Sequence, residues 1–164
     1  MKLVILSGAV CAGKTTVVRE LMKKTERYFH LSYDSLKWQF SQYSSGKYYD
    51  DILALRLAML RALCEMKYNV ITESTLASTR RAHIDIVREH GYEVLEINLE
   101  ADYDVLLRRC EERNAVVELD KVVSRERFDE VFRLYEVEKN PRAVTVRTDR
   151  HSVDEVVSAI LKLL

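Results

Sequence analysis

The chain has 164 residues, 48% of them hydrophobic, which suffices for the core of one domain and hardly for two. Lys plus Arg and Asp plus Glu both number 26, so no global field draws the protein to a membrane surface or along a nucleic acid, and an extended basic stripe is excluded. Three cysteines without paired spacing exclude a disulfide or zinc framework, and no apolar run reaches the about 20 residues that cross a bilayer. With the first strand starting by residue 2, no room is left for a signal peptide, and the expectation is one cytoplasmic domain over 1–164 with no membrane partner.

Short apolar runs alternate with longer amphipathic stretches, which predicts an α/β fold: a parallel sheet with helices on both faces. Strands are expected near 2–6, 28–33, 69–73, 92–98 and 143–148. Helices are expected near 14–25, 34–42, 50–67, 78–90, 102–113, 121–138 and 152–163. In such sheets ligands bind beyond the carboxyl ends of the strands, so the residues that follow each strand carry the functional question.

The first strand, Leu3-Val4-Ile5-Leu6, runs into Gly8-Ala9-Val10-Cys11-Ala12-Gly13-Lys14-Thr15, which reads G-x-x-x-x-G-K-T. The glycines let successive backbone N–H groups converge on an anion, and the helix beginning at Lys14 adds the positive end of its dipole. Gly8, Ala9, Cys11, Ala12, Gly13, Lys14, Thr15 and Thr16 are the expected nucleotide-binding set, with Lys14 directed to the β- and γ-phosphates and Thr15 to Mg²⁺.

At the end of the second strand, Asp34 has the place of a carboxylate that accepts the proton of an attacking hydroxyl; it could equally cap the helix that it precedes. Lys37 and Trp38 lie three and four positions on and share its helical face, where they offer a cation and a stacking ring to an acceptor molecule. Phe40, Tyr43, Tyr48 and Tyr49, interleaved with serines and Gly46, either extend that pocket or pack as core.

The third strand ends in Glu73-Ser74-Thr75. Glu73 is a candidate to hold Mg²⁺ through water or to orient the acceptor, and Thr75 to contact it; the alternative is a polar strand end leading to a cap. Arg80-Arg81 reads as a solvated helix face, with contact to an acceptor phosphate as the alternative, and Gly91 as the left-handed end of its helix. Leu106 to Asn114 is an amphipathic helix emptying its cations toward a less regular stretch. Arg113 at its end is the candidate to reach the transferring phosphoryl group, with Arg108, Arg109, Arg125 and Arg127 divided between salt bridges and a lid. Thr148 to His151 is either an adenine rest or a plain loop into Ser152-Val153-Asp154-Glu155, which has the form of a capping box.

Together these residues resemble a small P-loop kinase of the group that includes the polynucleotide 5′-hydroxyl kinases, zeta toxins and chloramphenicol phosphotransferases. The resemblance rests on Gly8 to Thr16, Asp34 with Lys37, Glu73-Ser74-Thr75, and Gly91-Tyr92-Glu93-Val94 leading to Leu106 through Asn114. It implies a P-loop NTPase three-layer sandwich with five parallel strands ordered 2-3-1-4-5, ATP with Mg²⁺, and transfer of the γ-phosphate to a hydroxyl. It also implies Asp34 as general base and Arg113 as a lid arginine, with an acceptor-side segment at about 34–67 and a lid at about 108–127. The chain departs from the group in carrying Lys37 where D-x-x-R is usual, Glu73-Ser74-Thr75 where D-x-T or D-T-N is usual, and no second arginine shortly after Asn114. A small molecule or a nucleic-acid end is the expected acceptor, the 5′-hydroxyl of a polynucleotide or nucleoside preferred. A nucleoside monophosphate kinase, a small-metabolite kinase and a nucleotide-binding switch without transfer are the alternatives.

Overall fold

The computed structural model describes every residue except Ser45 and Thr75, and Asp120 by its backbone alone. Its centre is the strand β1 (Lys2–Ser7), whose Leu3, Val4, Ile5 and Leu6 are all fully buried. A strand covered on both faces needs a continuous apolar run rather than an alternating one, and this is the pattern present. Successive side chains still point to opposite faces. Val4 and Leu6 pack with one set of helices, Leu3 and Ile5 with another.

The chain continues through α1 (Lys14–Lys24), β2 (Tyr28–Leu31), α2 (Tyr33–Lys37), α3 (Tyr49–Glu65), β3 (Asn69–Glu73), α4 (Ala77–Glu89) and β4 (Glu93–Glu100). It ends with α5 (Tyr103–Asn114), a 3₁₀ turn (Leu119–Lys121), α6 (Arg125–Glu138), β5 (Val144–Arg147) and α7 (Val153–Leu161). The five strands are all parallel in the order β2-β3-β1-β4-β5. On the Val4 and Leu6 face lie α1, α5, α6 and α7, through Val18, Leu21, Leu106, Phe128 and Val157 among others. On the Leu3 and Ile5 face lie α3 and α4, through Leu60, Leu63, Ile86 and Val87. The three-layer sandwich implied by the resemblance is therefore the fold. Among the described residues no helix is long and apolar enough to cross a membrane.

Two element boundaries differ from the sequence reading by more than two residues. The helix expected over 34–42 closes at Lys37, where Gln39 and Phe40 donate to the carbonyls three residues back and Gln42 takes a positive φ of 51°. The helix expected from 121 begins at Arg125, because the Ser124 side chain accepts the Arg127 N–H and caps it there.

The chain runs to β2 and β3 on one side of β1 and to β4 and β5 on the other, which opens a crevice at the carboxyl end of β1. Register brings Leu6 beside Glu73, and Leu31 beside Thr72. Ser7 Oγ donates to Ser74 O at 2.6 Å and Ser74 N to Leu6 O at 3.1 Å, so the ends of β1 and β3 are tied together where the crevice begins.

Candidate active site

The loop 8–13 turns at two positions with positive φ, Cys11 at 61° and Gly13 at 91°, and delivers the chain into α1. Gly13 is the N-cap of that helix and supplies no side chain, while the first turn carries no acidic residue. The dipole end and its free N–H groups therefore face outward uncompensated, which is the setting for an anion. At Gly8 a Cβ would sit 2.7 Å from Leu99 O and 3.0 Å from the Ala12 Cβ, so only glycine lets β1 leave the sheet this close to β4. Ala9 and Ala12 are buried and fix the loop to the core below.

Lys14 curls back across this loop, its Nζ donating to Gly8 O and Ala9 O at 2.8 Å each. Burial lowers its pKa, and the nearby charges of Glu73, Asp34 and Cys11 oppose that shift. The ammonium that the loop carbonyls hold therefore feels the charge of both candidate carboxylates. Thr15 and Thr16 are exposed at the start of α1.

Asp34 stands in the first turn of α2, and the capping role open to it in sequence belongs to Ser32, whose Oγ accepts from Ser35 N. The Asp34 carboxylate is left 72% exposed and pairs with Lys37 Nζ at 2.6 Å. The same ammonium lies 5.1 Å from the Trp38 ring centroid and 5.7 Å from that of Tyr43. Trp38 and Tyr43 meet edge to face, and Phe40 tilts against Tyr48. The expected group of Asp34, Lys37 and Trp38 is thus brought together, with the aromatic residues beyond it packed on one another.

Glu73 receives a partner that sequence reasoning did not assign: His30 Nε2 lies 2.9 Å from Glu73 Oε2. A second is Arg56 of α3, only 3% exposed, whose Nη2 donates to Thr72 Oγ1 at 2.7 Å and to Glu73 O at 3.3 Å. Thr72 Oγ1 in turn donates to Leu31 O at 2.8 Å, so one buried guanidinium braces the ends of both β2 and β3. Burial lowers the Arg56 pKa against the opposing pull of Glu73, Tyr49, Tyr33 and Asp34. Thr75 lies outside the described residues.

Arg113 stands exposed at the end of α5, its Nη2 donating to Lys121 O at 3.1 Å. Beside it Asn114 exchanges two bonds with the Val123 backbone, 2.8 and 3.1 Å long, which close the base of the 115–123 excursion. Among the described residues no hydrogen bond or ion pair joins Arg113 to Lys14, Asp34 or Glu73. Arg108 pairs with Glu112, Arg125 with Asp129 and Arg127 with Glu130, while Arg109 donates to Thr148 Oγ1 and Thr148 O and so anchors the loop after β5. Arg80 corrects the reading of a solvated pair. It is 6% exposed and joins α4 to Glu96 of β4 and to the Glu138 carbonyl, whereas Arg81 is exposed as expected. A separate cavity of about 300 Å³ opens on the β4 flank of the loop, lined by Ala9, Glu100, Tyr103, Tyr135, Lys139 and Arg147, away from the two carboxylates.

No curated protein sequence matches this chain. Among solved structures it is similar to a chain of the Pnkp1/Rnl/Hen1 RNA repair complex, with 22% identity and a TM-score of 0.67 over 87% of this chain and 49% of that one. It thus spans about half the length of that relative. The Deinococcus radiodurans tunicamycin resistance protein matches with 15% identity and a TM-score of 0.68, over 99% of this chain and 94% of that one. The Mycobacterium tuberculosis APS kinase CysC, in complex with AMPPNP and APS, matches with 18% identity and a TM-score of 0.58, over 99% and 96%. At these identities the likeness is one of fold. A family model described as an AAA domain matches residues 3–138, from β1 to the end of α6. The chain therefore belongs to that AAA domain family.

Proposed function

We propose that this protein is an ATP-dependent kinase that transfers the γ-phosphate to a hydroxyl, with the 5′-hydroxyl of a polynucleotide or nucleoside as the preferred acceptor. The observation that carries this reading is the placing of Lys14 on the loop after β1, Glu73 at the end of the neighbouring β3 and Asp34 just after β2, with both carboxylate charges acting on the Lys14 ammonium. In a transfer, the bond between the γ-phosphorus and the β-phosphate oxygen breaks while the acceptor oxygen bonds to phosphorus, and the hydroxyl proton needs a base.

Asp34 takes that proton, being exposed and held by Lys37 at the end of β2. The loop amides and Lys14 cradle the β- and γ-phosphates. Mg²⁺, when bound with the nucleotide, would supply neutralisation of the phosphate charge. Among the described residues no group of three or more His, Cys, Asp or Glu could hold a metal by itself. This fits an ion carried chiefly by nucleotide phosphates and water, with the Thr15 hydroxyl and Glu73 as the protein's contribution. Lys37 and Trp38 of the acceptor-side segment 34–67, with Glu73 and Thr75 after the third strand, contact the acceptor, and the 108–127 segment is a lid whose Arg113 turns inward when it closes over the developing charge.

The RNA repair relative supports a nucleic-acid end as acceptor. The APS kinase, matched over nearly its whole length, supports a small-molecule hydroxyl as the second reading. The test is incubation with labelled ATP and a panel of 5′-hydroxyl RNA, 5′-hydroxyl DNA, nucleosides, nucleotides and sugars. Label should pass to a 5′-hydroxyl acceptor, and Asp34→Asn should lower kcat by about a hundredfold or more with nucleotide binding retained. Absence of any labelled acceptor, or full activity in Asp34→Asn, would overturn the mechanism.

A further inference from the structure

Glu73 is held from both sides of the sheet. Register sets Glu73 beside Leu6, and His30 beside Ile71 two residues earlier on β3, so His30 and Glu73 are diagonal neighbours on one face. On that face Leu6 and Ile71 pack with Val17, Val18 and Leu21 of α1, the helix into which the phosphate loop leads. From the α3 side, Arg56 donates to Glu73 O at 3.3 Å, and Ser74 N donates to Leu6 O at 3.1 Å. The backbone at Glu73 is therefore fixed, and only its side-chain torsions remain to be set.

His30 supplies the contact that sets them. Its Nε2 lies 2.9 Å from Glu73 Oε2, with the imidazole 25% and the carboxylate 15% exposed. An ionised carboxylate only accepts, so the proton between them belongs to Nε2 and His30 is the donor. The bond takes Oε2 and leaves Oε1 to accept from a further partner. As a brace between strands the contact would be redundant. β2 and β3 are already paired from Tyr28 to Leu31, and Arg56 with Thr72 ties their ends.

We propose that His30 is a positioning residue: by donating from Nε2 to Glu73 Oε2 it holds the carboxylate on the phosphate-loop side of the sheet, with Oε1 kept for the metal ion that accompanies the nucleotide. His30 acts through Glu73 rather than on the nucleotide. The inference rests on the kinase reading, and within it on the share of Glu73 in holding the metal. A carboxylate whose rotamer is fixed by a neighbour loses less entropy when it engages an ion, and removal of such an outer partner costs about 10–100-fold in metal affinity or activity.

The unmodified protein, His30→Leu, His30→Gln and Glu73→Gln are compared in three measurements. Paramagnetic resonance follows Mn²⁺ titrated into the complex with a non-hydrolysable ATP analogue, calorimetry follows binding of that analogue in EDTA, and thermal melts report folding. His30→Leu should weaken Mn²⁺ binding by about tenfold while the metal-free affinity for the analogue is kept. His30→Gln, whose side-chain amide still donates, should recover most of that loss. Combined with Glu73→Gln, His30→Leu should add nothing further, because the two act through one contact. His30→Phe takes the place of the leucine variant if that one does not fold. The proposal is overturned if His30→Leu binds Mn²⁺ as tightly as the unmodified protein, if its loss adds in full to that of Glu73→Gln, or if His30→Gln is as weak as His30→Leu. Unaltered Mn²⁺ binding in Glu73→Gln would overturn the metal role of Glu73 and this inference together. Failure to label any acceptor, with Mn²⁺ binding weakened as expected, would overturn the kinase reading alone.

Discussion

Arg56 shows how a single residue can be placed for a site at the expense of the core around it. Its guanidinium is buried in α3, and among the described residues its Nε has no hydrogen-bond partner. A buried cation with incomplete partners contributes little net stability, and apolar replacement of such groups is often neutral or stabilising. What Arg56 does supply is position: it holds Thr72 and the Glu73 carbonyl, and through Thr72 the end of the strand that leads to Asp34. Arg56→Met, which preserves volume, is therefore expected to leave the melting temperature unchanged or raised while phosphoryl transfer falls, and Arg56→Lys to recover only part of the rate for want of the planar fork. Paired thermal melts and kinetic assays check this. A loss of about 3 kcal/mol with unaltered kcat would make the residue purely structural. Lys14, Asp34 and Glu73 were legible because loop spacing and strand ends mark them. Arg56 and His30 were not, since nothing in a strand or helix pattern says which polar side chain turns inward. A signal existed nonetheless: Arg56 stands midway between Ile52 and Leu60, at the four-residue spacing of a buried stripe, where a charge is out of place.

At the scale of the element, the sequence was readable where local chemistry ends a helix and misleading where tertiary packing does. Ser152 accepts the Glu155 N–H, and the Glu155 carboxylate accepts the Ser152 N–H at 2.8 Å, so α7 starts where its capping box says. Ser152→Ala should lower stability by about 1 kcal/mol, a shift of about 2–4 °C in Tm, measurable by calorimetry. An unchanged Tm would show that Val156, Val157 and Ile160, packed in the core, hold the helix without its cap. Gly91, with φ 73°, likewise stands just beyond the end of α4. The early stop of α2 had no such mark: Trp38, Gln39 and Phe40 are compatible with helix, and it is the turn at Gln42 and the packing of Trp38 on Tyr43 that bend the chain away. Sheet order came from the resemblance, because strand patterns alone do not rank neighbours. The family match and the pairing of β1 with both β3 and β4 bear it out.

For the molecule as a whole, the packing of α3 against α4 sets a limit on its acid stability. His83 of α4 is fully buried, its Nδ1–H donating to Thr79 O at 2.6 Å and its Nε2 without a partner among the described residues. Burial, reinforced by the Arg56 charge, lowers its pKa to about 4 from an ordinary 6.5. The native state thus holds His83 neutral where the unfolded chain already binds a proton. Stability is undiminished above about pH 6.5, falls as the pH drops from there toward 4, and levels off below, with a total loss of about 3 kcal/mol. Asp149 acts in a different window. Its carboxylate is held down to about 2 by Arg147, so the stability that pair contributes is lost only as the pH falls through about 4 toward 2. Urea unfolding at about pH 7, 5.5 and 4.5 separates the two. The unmodified protein should weaken across that series, and His83→Leu should show a flatter dependence because it has no proton to take up. Equal slopes for both would place the acid sensitivity elsewhere than the α3–α4 interface. A flatter slope would assign it to His83, and since the Arg56 charge is the lesser of the two causes, replacing Arg56 with methionine should raise the His83 pKa and flatten the curve only in part.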